Sequence, residues 1–245
     1  MENGKNDLKL ALVTGSSIRL GRGFALRLAE LGYAIILHYN TSESQVNETE
    51  NLIKSNGGEA YHIQADFRDE GQIHRMWNFV DTLPGQLKVL INCAALITKQ
   101  GIMDLKTNDL DEQISINLKA PLICSQEAAI RMEDGSVIIN ISDAGVNKFW
   151  TGYSGYLISK SALEMMTRLM AKKLAPKIRV NAIAPGLVLP LETISGQQWQ
   201  DLLDKVPMKR AATIDEITSV GELIINNQYI TGQIIQVDGG MAFQK

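Results

Sequence analysis

The chain has 245 residues, 45% of them hydrophobic, and a formal net charge of -3. That length buries a sizeable core as one α/β unit, and the intermixed charges leave no basic footprint for nucleic acid or an anionic membrane. Cys93 and Cys124 fall in segments that read as interior and are too few for a disulfide framework, which fits a reduced cytoplasmic setting. Residues 1–7 hold no apolar run of the signal-peptide kind, and no later stretch is long enough to span a bilayer.

Short apolar runs alternate with amphipathic stretches along the whole chain, the rhythm of βαβ units and a parallel sheet. Strands are expected over 9–14, 33–39, 59–65, 88–92, 136–142, 177–183 and 234–237. Helical spacing of apolar residues covers 22–31, 43–56, 69–83, 109–131, 156–174 and 214–226. The expected architecture is a single-domain, doubly wound Rossmann fold over residues 1–245, with seven parallel strands and helices on both faces.

After the first strand comes Thr14-Gly-Ser-Ser-Ile-Arg-Leu-Gly21-Arg-Gly23. A glycine turn that opens a helix offers free amides and the positive helix end to a pyrophosphate. After the second strand, His38-Tyr-Asn-Thr-Ser42 delays to Glu43 the acid that usually holds the ribose hydroxyl of NAD. Neutral donors at Asn40, Thr41 and Ser42, with Arg19 or Arg22 nearby, suit a ribose phosphate, so NADPH/NADP+ is the expected cofactor. Ser42 serves equally as the N-cap of the following helix.

Tyr156 and Lys160 stand four residues apart, and Asp143 precedes the tyrosine by thirteen. One helical turn puts the ammonium beside the phenol, where it favours the ionised form of a group whose ordinary pKa is near 10. The long segment 187–207, with Pro190 and Gly196, has the look of a lid over a ligand and carries a short helix around 198–203. An ordinary surface connection would look the same.

In order and spacing, the Thr14-Gly15 turn, Asp66, Asn92-Cys-Ala-Ala95, Asn117, Tyr156/Lys160, Pro185-Gly186 and Asp238-Gly-Gly240 resemble the short-chain dehydrogenase/reductase family over nearly the whole chain. The resemblance implies Tyr156 as general acid, Lys160 on the nicotinamide ribose and Asn117 ordering a water in the proton path. It places Asp66 at the adenine amino group and Asn92 on the adenosine side. Gly15, Ser17, Arg19, Leu20, His38, Tyr39, Phe67, Ala94, Pro185 and Gly186 complete the implied cofactor contacts.

Arg19 in Thr-Gly-x-x-x-Arg-x-Gly, and Asp143 where most members carry the catalytic serine, resemble the pteridine and dihydropterin reductases. An ionised carboxylate only accepts hydrogen bonds, so Asp143 suits a substrate with N–H groups, and Arg19 would reach a ring carbonyl. The other reading of Asp143 is a cap, with Ser142 acting one residue early. Ile97 stands where that branch places a stacking aromatic, and Trp150 and Tyr153 supply either an aromatic wall or core and subunit contacts. The expected activity is NADPH-dependent reduction of a pterin-type small molecule. Reduction of 3-oxoacyl thioesters, quinones or ketones, and a catalytically silent nucleotide sensor, are the alternatives. The resemblance also implies a homo-oligomer, a tetramer by family habit.

Overall fold

The computed structural model describes residues 8–191 and 193–243. Residues 1–7, read above for a signal peptide, lie outside the described residues, as do Glu192 and the last two residues of the tail. Strands β1 (Lys9–Val13), β2 (Ala34–Tyr39), β3 (Ala60–Gln64), β4 (Gln86–Asn92), β5 (Ser136–Ile141), β6 (Ile178–Pro185) and β7 (Ile234–Val237) form one parallel sheet in the order 3-2-1-4-5-6-7. Every residue of β2 (AIILHY) and β5 (SVIINI) is buried, as strands covered on both faces must be.

Helices α1 (Arg19–Glu30), α2 (Glu43–Ser55), α3 (Glu70–Val80), α4 (Thr107–Ile114), α5 (Ala120–Arg131), α6 (Ser154–Leu174), α7 (Gly196–Leu203) and α8 (Ile214–Asn226) follow in order. Phe24 and Leu28 of α1, Ile53 of α2 and Ile217 and Ile224 of α8 share one core layer with the sheet. Met76 and Trp77 of α3, Cys124 of α5 and Ala171 of α6 share the other. The sheet is therefore doubly wound. Its strand order reverses between β1 and β4, and open α/β sheets bind ligands outside the carboxyl ends at that reversal.

Several elements depart from the expected boundaries, among them β4, which starts at Gln86, and α3, which ends at Val80. Helix α1 opens at residue 19 rather than 22, because Ile18 is extended and Arg19 enters with φ 52. The expected helix over 109–131 is α4 and α5 joined by a π-helical turn, Ser115–Lys119, that contains Asn117. β6 continues to Pro185. In the 187–207 segment, α7 is pinned by a capping box in which Ser195 and Gln198 satisfy each other's backbone amides.

Asn92 and Asn140 lie side by side on β4 and β5. The Asn92 amide donates to Asn140 (2.8 Å) and to Ser125 on α5 (3.1 Å), and Asn140 donates to Thr167 on α6 (2.8 Å). This buried chain fixes α6 against the centre of the sheet. It also corrects the expectation for Asn92, whose side chain is 2% exposed and faces the interior rather than a cofactor. Replacing Asn140 by Ala strands two buried donors or acceptors and should cost ~1–3 kcal/mol. In urea unfolding, the midpoint should fall with the slope unchanged.

Candidate active site

The turn after β1 is built by steric necessity. Gly15 adopts φ +64, and a Cβ there would stand 2.8 Å from the Ala94 Cα. A Cβ on Gly21 would lie 2.1 Å from the Gly15 carbonyl. Thr14 Oγ1 accepts from the amides of Cys93 (2.9 Å) and Ala94 (3.1 Å), which joins the ends of β1 and β4. Behind the turn, His38 Nδ1 accepts from the Gly15 amide (3.0 Å) and Nε2 meets the Ala65 carbonyl (2.9 Å). Its ring stacks on Phe67 at 4.0 Å and 8°. Burial lowers the His38 pKa to about 4, so the ring is neutral, with its proton on Nε2 and a lone pair aimed at Gly15. His38 is thus a brace for the turn.

A cavity of about 540 Å³ opens above this turn, lined among others by Gly15, Ser17, Leu20, Asn40, Thr41, Ser42, Asp66, Ala94, Tyr156 and Lys160. Ser42 occupies the N-cap position of α2 but makes no side-chain cap bond, so its hydroxyl is not spent on the helix. No acid follows β2 among the lining residues. Asp66 is held below the usual carboxylate range, first by its hydrogen bonds from Arg68, which contacts it at 2.6 to 3.0 Å. A glycine-walled entrance, neutral donors at the ribose end and an aspartate at the far end suit an adenine dinucleotide with a ribose phosphate.

Of the two expected cationic partners, Arg19 lines this cavity and Arg22 does not. Arg22 faces Glu48 at 3.8 Å. The Arg19 guanidinium donates to the carbonyls of Leu189 and Pro190, each at 2.9 Å. Its planar fork suits two fixed acceptors, and it clasps the 187–207 segment to the first turn. Asn117 is buried, with both amide donors spent on the Leu96 carbonyl (2.8 Å) and Ser159 (3.0 Å) and its Oδ1 accepting from the Leu96 amide (2.7 Å), which leaves one lone pair of that oxygen free.

Tyr156 and Asp143 meet directly, the phenol donating to Asp143 Oδ2 at 2.9 Å, while Oδ1 accepts from Gly145 at 2.7 Å. Asp143 therefore caps the turn Ala144–Lys148 and faces the tyrosine at once. Ser142 is turned away, donating to Glu164 at 2.8 Å. A strand end sends successive side chains to opposite sides, and here the aspartate points into the site. Burial raises the Asp143 pKa. Tyr156 is raised well above its usual value, first by burial and then by Asp143, which reverses the expectation of an ionised phenol. Lys160 Nζ donates to the Ile141 carbonyl (2.7 Å) and lies 5.6 Å from the Tyr156 ring centroid. Burial lowers its pKa to about 8.

A second cavity of about 370 Å³ adjoins the first and shares Arg19, Leu20, Ile97, Ile141, Ser142 and Tyr156 with it. Pro185 and Gly186, expected at the cofactor, line this second space instead. Asp143 lines it, together with Trp150 and Tyr153, whose ring centroids are 6.4 Å apart. Leu187, Val188, Leu189, Leu191 and Ile194 of the connecting segment and Trp199 and Leu202 of α7 also line it.

A family model described as enoyl-(acyl carrier protein) reductase matches residues 15–242. A solved short-chain dehydrogenase/reductase from Serratia marcescens is 30% identical with a TM-score of 0.91, covering 96% of this chain and 98% of that one. The chain belongs to the short-chain dehydrogenase/reductase family. Its curated relatives include the 3-oxoacyl-[acyl-carrier-protein] reductase FabG of Staphylococcus aureus, 32% identical over 240 residues, 95% of this chain and 98% of the relative. FolM alternative dihydrofolate reductase 1 from Brucella canis, solved with NADP, is 32% identical with a TM-score of 0.91, covering 96% of this chain and 94% of that one.

For this dehydrogenase/reductase, motif spacing located Tyr156, Lys160 and Asp143 but missed Trp199, Leu202 and Ile194. The apolar i, i+3 pair on α7 was the available signal. Cys93 also lines the cofactor cavity, with its thiol pushed up to about 12 by burial, so it serves as an inert wall.

Replacing Arg19 by Ala should speed hydrogen exchange across 187–203 and leave NADPH affinity less affected than by the roughly tenfold loss of a charge-assisted phosphate contact. Raising the pH through about 8 removes the Lys160 charge. NADPH affinity, read by fluorescence titration, should then fall about tenfold or more, and in Lys160→Arg it should stay flat across that range.

Proposed function

We propose that this protein is an NADPH-dependent reductase of a pterin-type substrate, a dihydropterin, dihydrofolate or oxidised pterin. The observation that carries the reading is the Asp143 carboxylate in hydrogen-bond contact with Tyr156, where a ketone reductase is served by a hydroxyl donor. A carboxylate accepts from ring N–H and amino groups, which pterins present and simple ketones lack. The FolM structures, solved with NADP, support both the substrate class and the cofactor.

Gly15, Ser17, Leu20, Asn40, Thr41, Ser42, Asp66, Ala94 and Lys160 are the residues assigned to hold the nucleotide. When bound, the nicotinamide supplies the hydride. Tyr156 delivers the accompanying proton to the ring nitrogen. A phenolate left beside the Asp143 carboxylate sets two negative charges in one buried site until Tyr156 is reprotonated. Lys160 offsets that charge from the same helix face. Positioned general acid catalysis of this kind contributes ~10²–10⁴-fold. The segment 187–207, clasped by Arg19, is assigned as the cover that excludes water.

The homo-oligomer reading is supported by an exposed apolar face on α5 and α6, with Ile130 76%, Leu169 62% and Met165 55% exposed. A second catalytic reading, 3-oxoacyl thioester reduction, is favoured by the FabG relatives. NADPH oxidation measured side by side with dihydrobiopterin, dihydrofolate and acetoacetyl thioesters separates the two. Tyr156→Phe should abolish turnover and retain NADPH binding. Asp143→Ser should depress pterin reduction by about tenfold or more, the scale of one charged hydrogen bond; a neutral or improved rate with the thioester in that variant would favour the second reading.

A further inference from the structure

One buried acid takes no part in the proposed reaction. Glu164 of α6 is 6% exposed, and among the described residues no other aspartate or glutamate is buried. Burying a carboxylate is costly unless it is paired and hydrogen-bonded. Burial raises the Glu164 pKa, while the Ser142 hydroxyl and the Arg168 charge act against that rise. Ser142 Oγ donates to Glu164 Oε1 at 2.8 Å.

That bond is the middle one of a series. Three consecutive residues at the end of β5 each bond to α6: the Ile141 carbonyl accepts from Lys160 Nζ (2.7 Å), Ser142 donates to Glu164, and Asp143 accepts from Tyr156 (2.9 Å). Residues 156, 160 and 164 follow one another at four-residue spacing along one helix face. The Ser142 amide donates to the Ile183 carbonyl of β6 at 2.7 Å, so Ser142 is anchored to the sheet by its backbone and to the helix by its side chain. The outer two bonds involve groups assigned to the reaction, since Lys160 is to hold the nucleotide and Tyr156 is to release its proton. The middle bond touches no reacting atom and stays intact through a turnover. Asn140 and Thr167 fix the helix one turn further along, and Glu164 brings that fixation closer to the acid.

We propose that Glu164 is a positioning residue: through Ser142 it holds α6 at the register in which Tyr156 meets Asp143. The proposal rests on the reading of Tyr156 as proton donor and is independent of which substrate is reduced.

The experiment uses the full chain, NADPH and whichever of dihydrobiopterin, dihydrofolate and acetoacetyl thioester is turned over fastest. Glu164→Met removes the acceptor and leaves an unbranched apolar chain of similar length in the buried position, whereas Glu164→Gln keeps an acceptor oxygen for Ser142. Counted per NADPH-binding site, kcat should fall about tenfold or more in Glu164→Met with KM and NADPH affinity within about twofold, because a misplacement of ~1 Å can cost ~10²-fold in rate. The solvent deuterium isotope effect on kcat should rise, since a displaced acid slows proton transfer. Glu164→Gln should recover most of the loss. Ser142→Ala should lose as much as Glu164→Met, and the double variant should lose no more than either alone.

Unchanged kcat in Glu164→Met overturns the proposal, as does an equal loss in Glu164→Gln or a double variant whose losses multiply. A lower melting temperature with kcat per site and isotope effect unchanged leaves Glu164 a purely structural role and overturns it too. Should Glu164→Met fail to bind NADPH, Ser142→Ala and Glu164→Gln decide: loss in the first and retention in the second support the proposal, and any other pattern overturns it. Turnover by Tyr156→Phe, or no turnover of any of the three substrates by the unaltered protein, overturns the proton-donor reading and the proposal with it. An inactive Tyr156→Phe beside a fully active Glu164→Met overturns the proposal alone.

Discussion

The hydrogen bond from Tyr156 to Asp143 organises the site, because it can form only where a strand end and a helix start are held in register. Asp143 follows β5, and Tyr156 lies in the first turn of α6. The buried chain from Asn92 through Asn140 to Thr167 holds that helix to the middle of the sheet. Asn140 and Thr167 are fully buried, and their polar atoms find partners along this chain. The polar core behind the catalytic face thereby sets the position of the acid in front of it.

Much of this was legible in the sequence for physical reasons. Strands buried on both faces announce themselves as unbroken apolar runs, which is why β2 and β5 were readable. The i, i+4 relation of Tyr156 and Lys160 is fixed by helical geometry once a helix is recognised. The electrostatics were not legible in the same way. Spacing alone put an ammonium beside a phenol and pointed to ionisation. Burial and the adjacent carboxylate act in the opposite direction on Tyr156, and neither quantity is written in local sequence.

The arginines show a second limit. Arg19 and Arg22 stand beside the nucleotide turn in the chain, but side-chain direction depends on partners far away in sequence. Arg22 lies by Glu48, and Arg19 reaches across to Leu189 and Pro190. The positive φ of Arg19 is unusual for a residue with a Cβ, and two distant carbonyls now account for the direction its side chain takes. Histidine 38 is a parallel case. The resemblance implied a cofactor contact for it; it lines the cofactor cavity, and its two ring nitrogens are consumed by Gly15 and Ala65. Trp199 is the converse, a residue with no motif that becomes a wall because α7 folds back over the cavity.

The choice between a pterin and a ketone turns on the protonation state of Asp143 rather than on its presence. An ionised carboxylate only accepts hydrogen bonds, whereas a protonated one donates as the family's serine does. Burial raises the Asp143 pKa, while the Gly145 amide, Tyr156 and Lys160 lower it. Since Tyr156 donates to Asp143, the acceptor form is the one this geometry satisfies before substrate arrives. A ring that brings its own N–H donors can replace the phenol as donor to that carboxylate and free the phenolic proton for transfer. A ketone brings none, so it would leave Tyr156 divided between the carboxylate and the carbonyl oxygen. In the proposed reaction, the hydrogen bond that positions Tyr156 therefore favours substrates that can take over its acceptor.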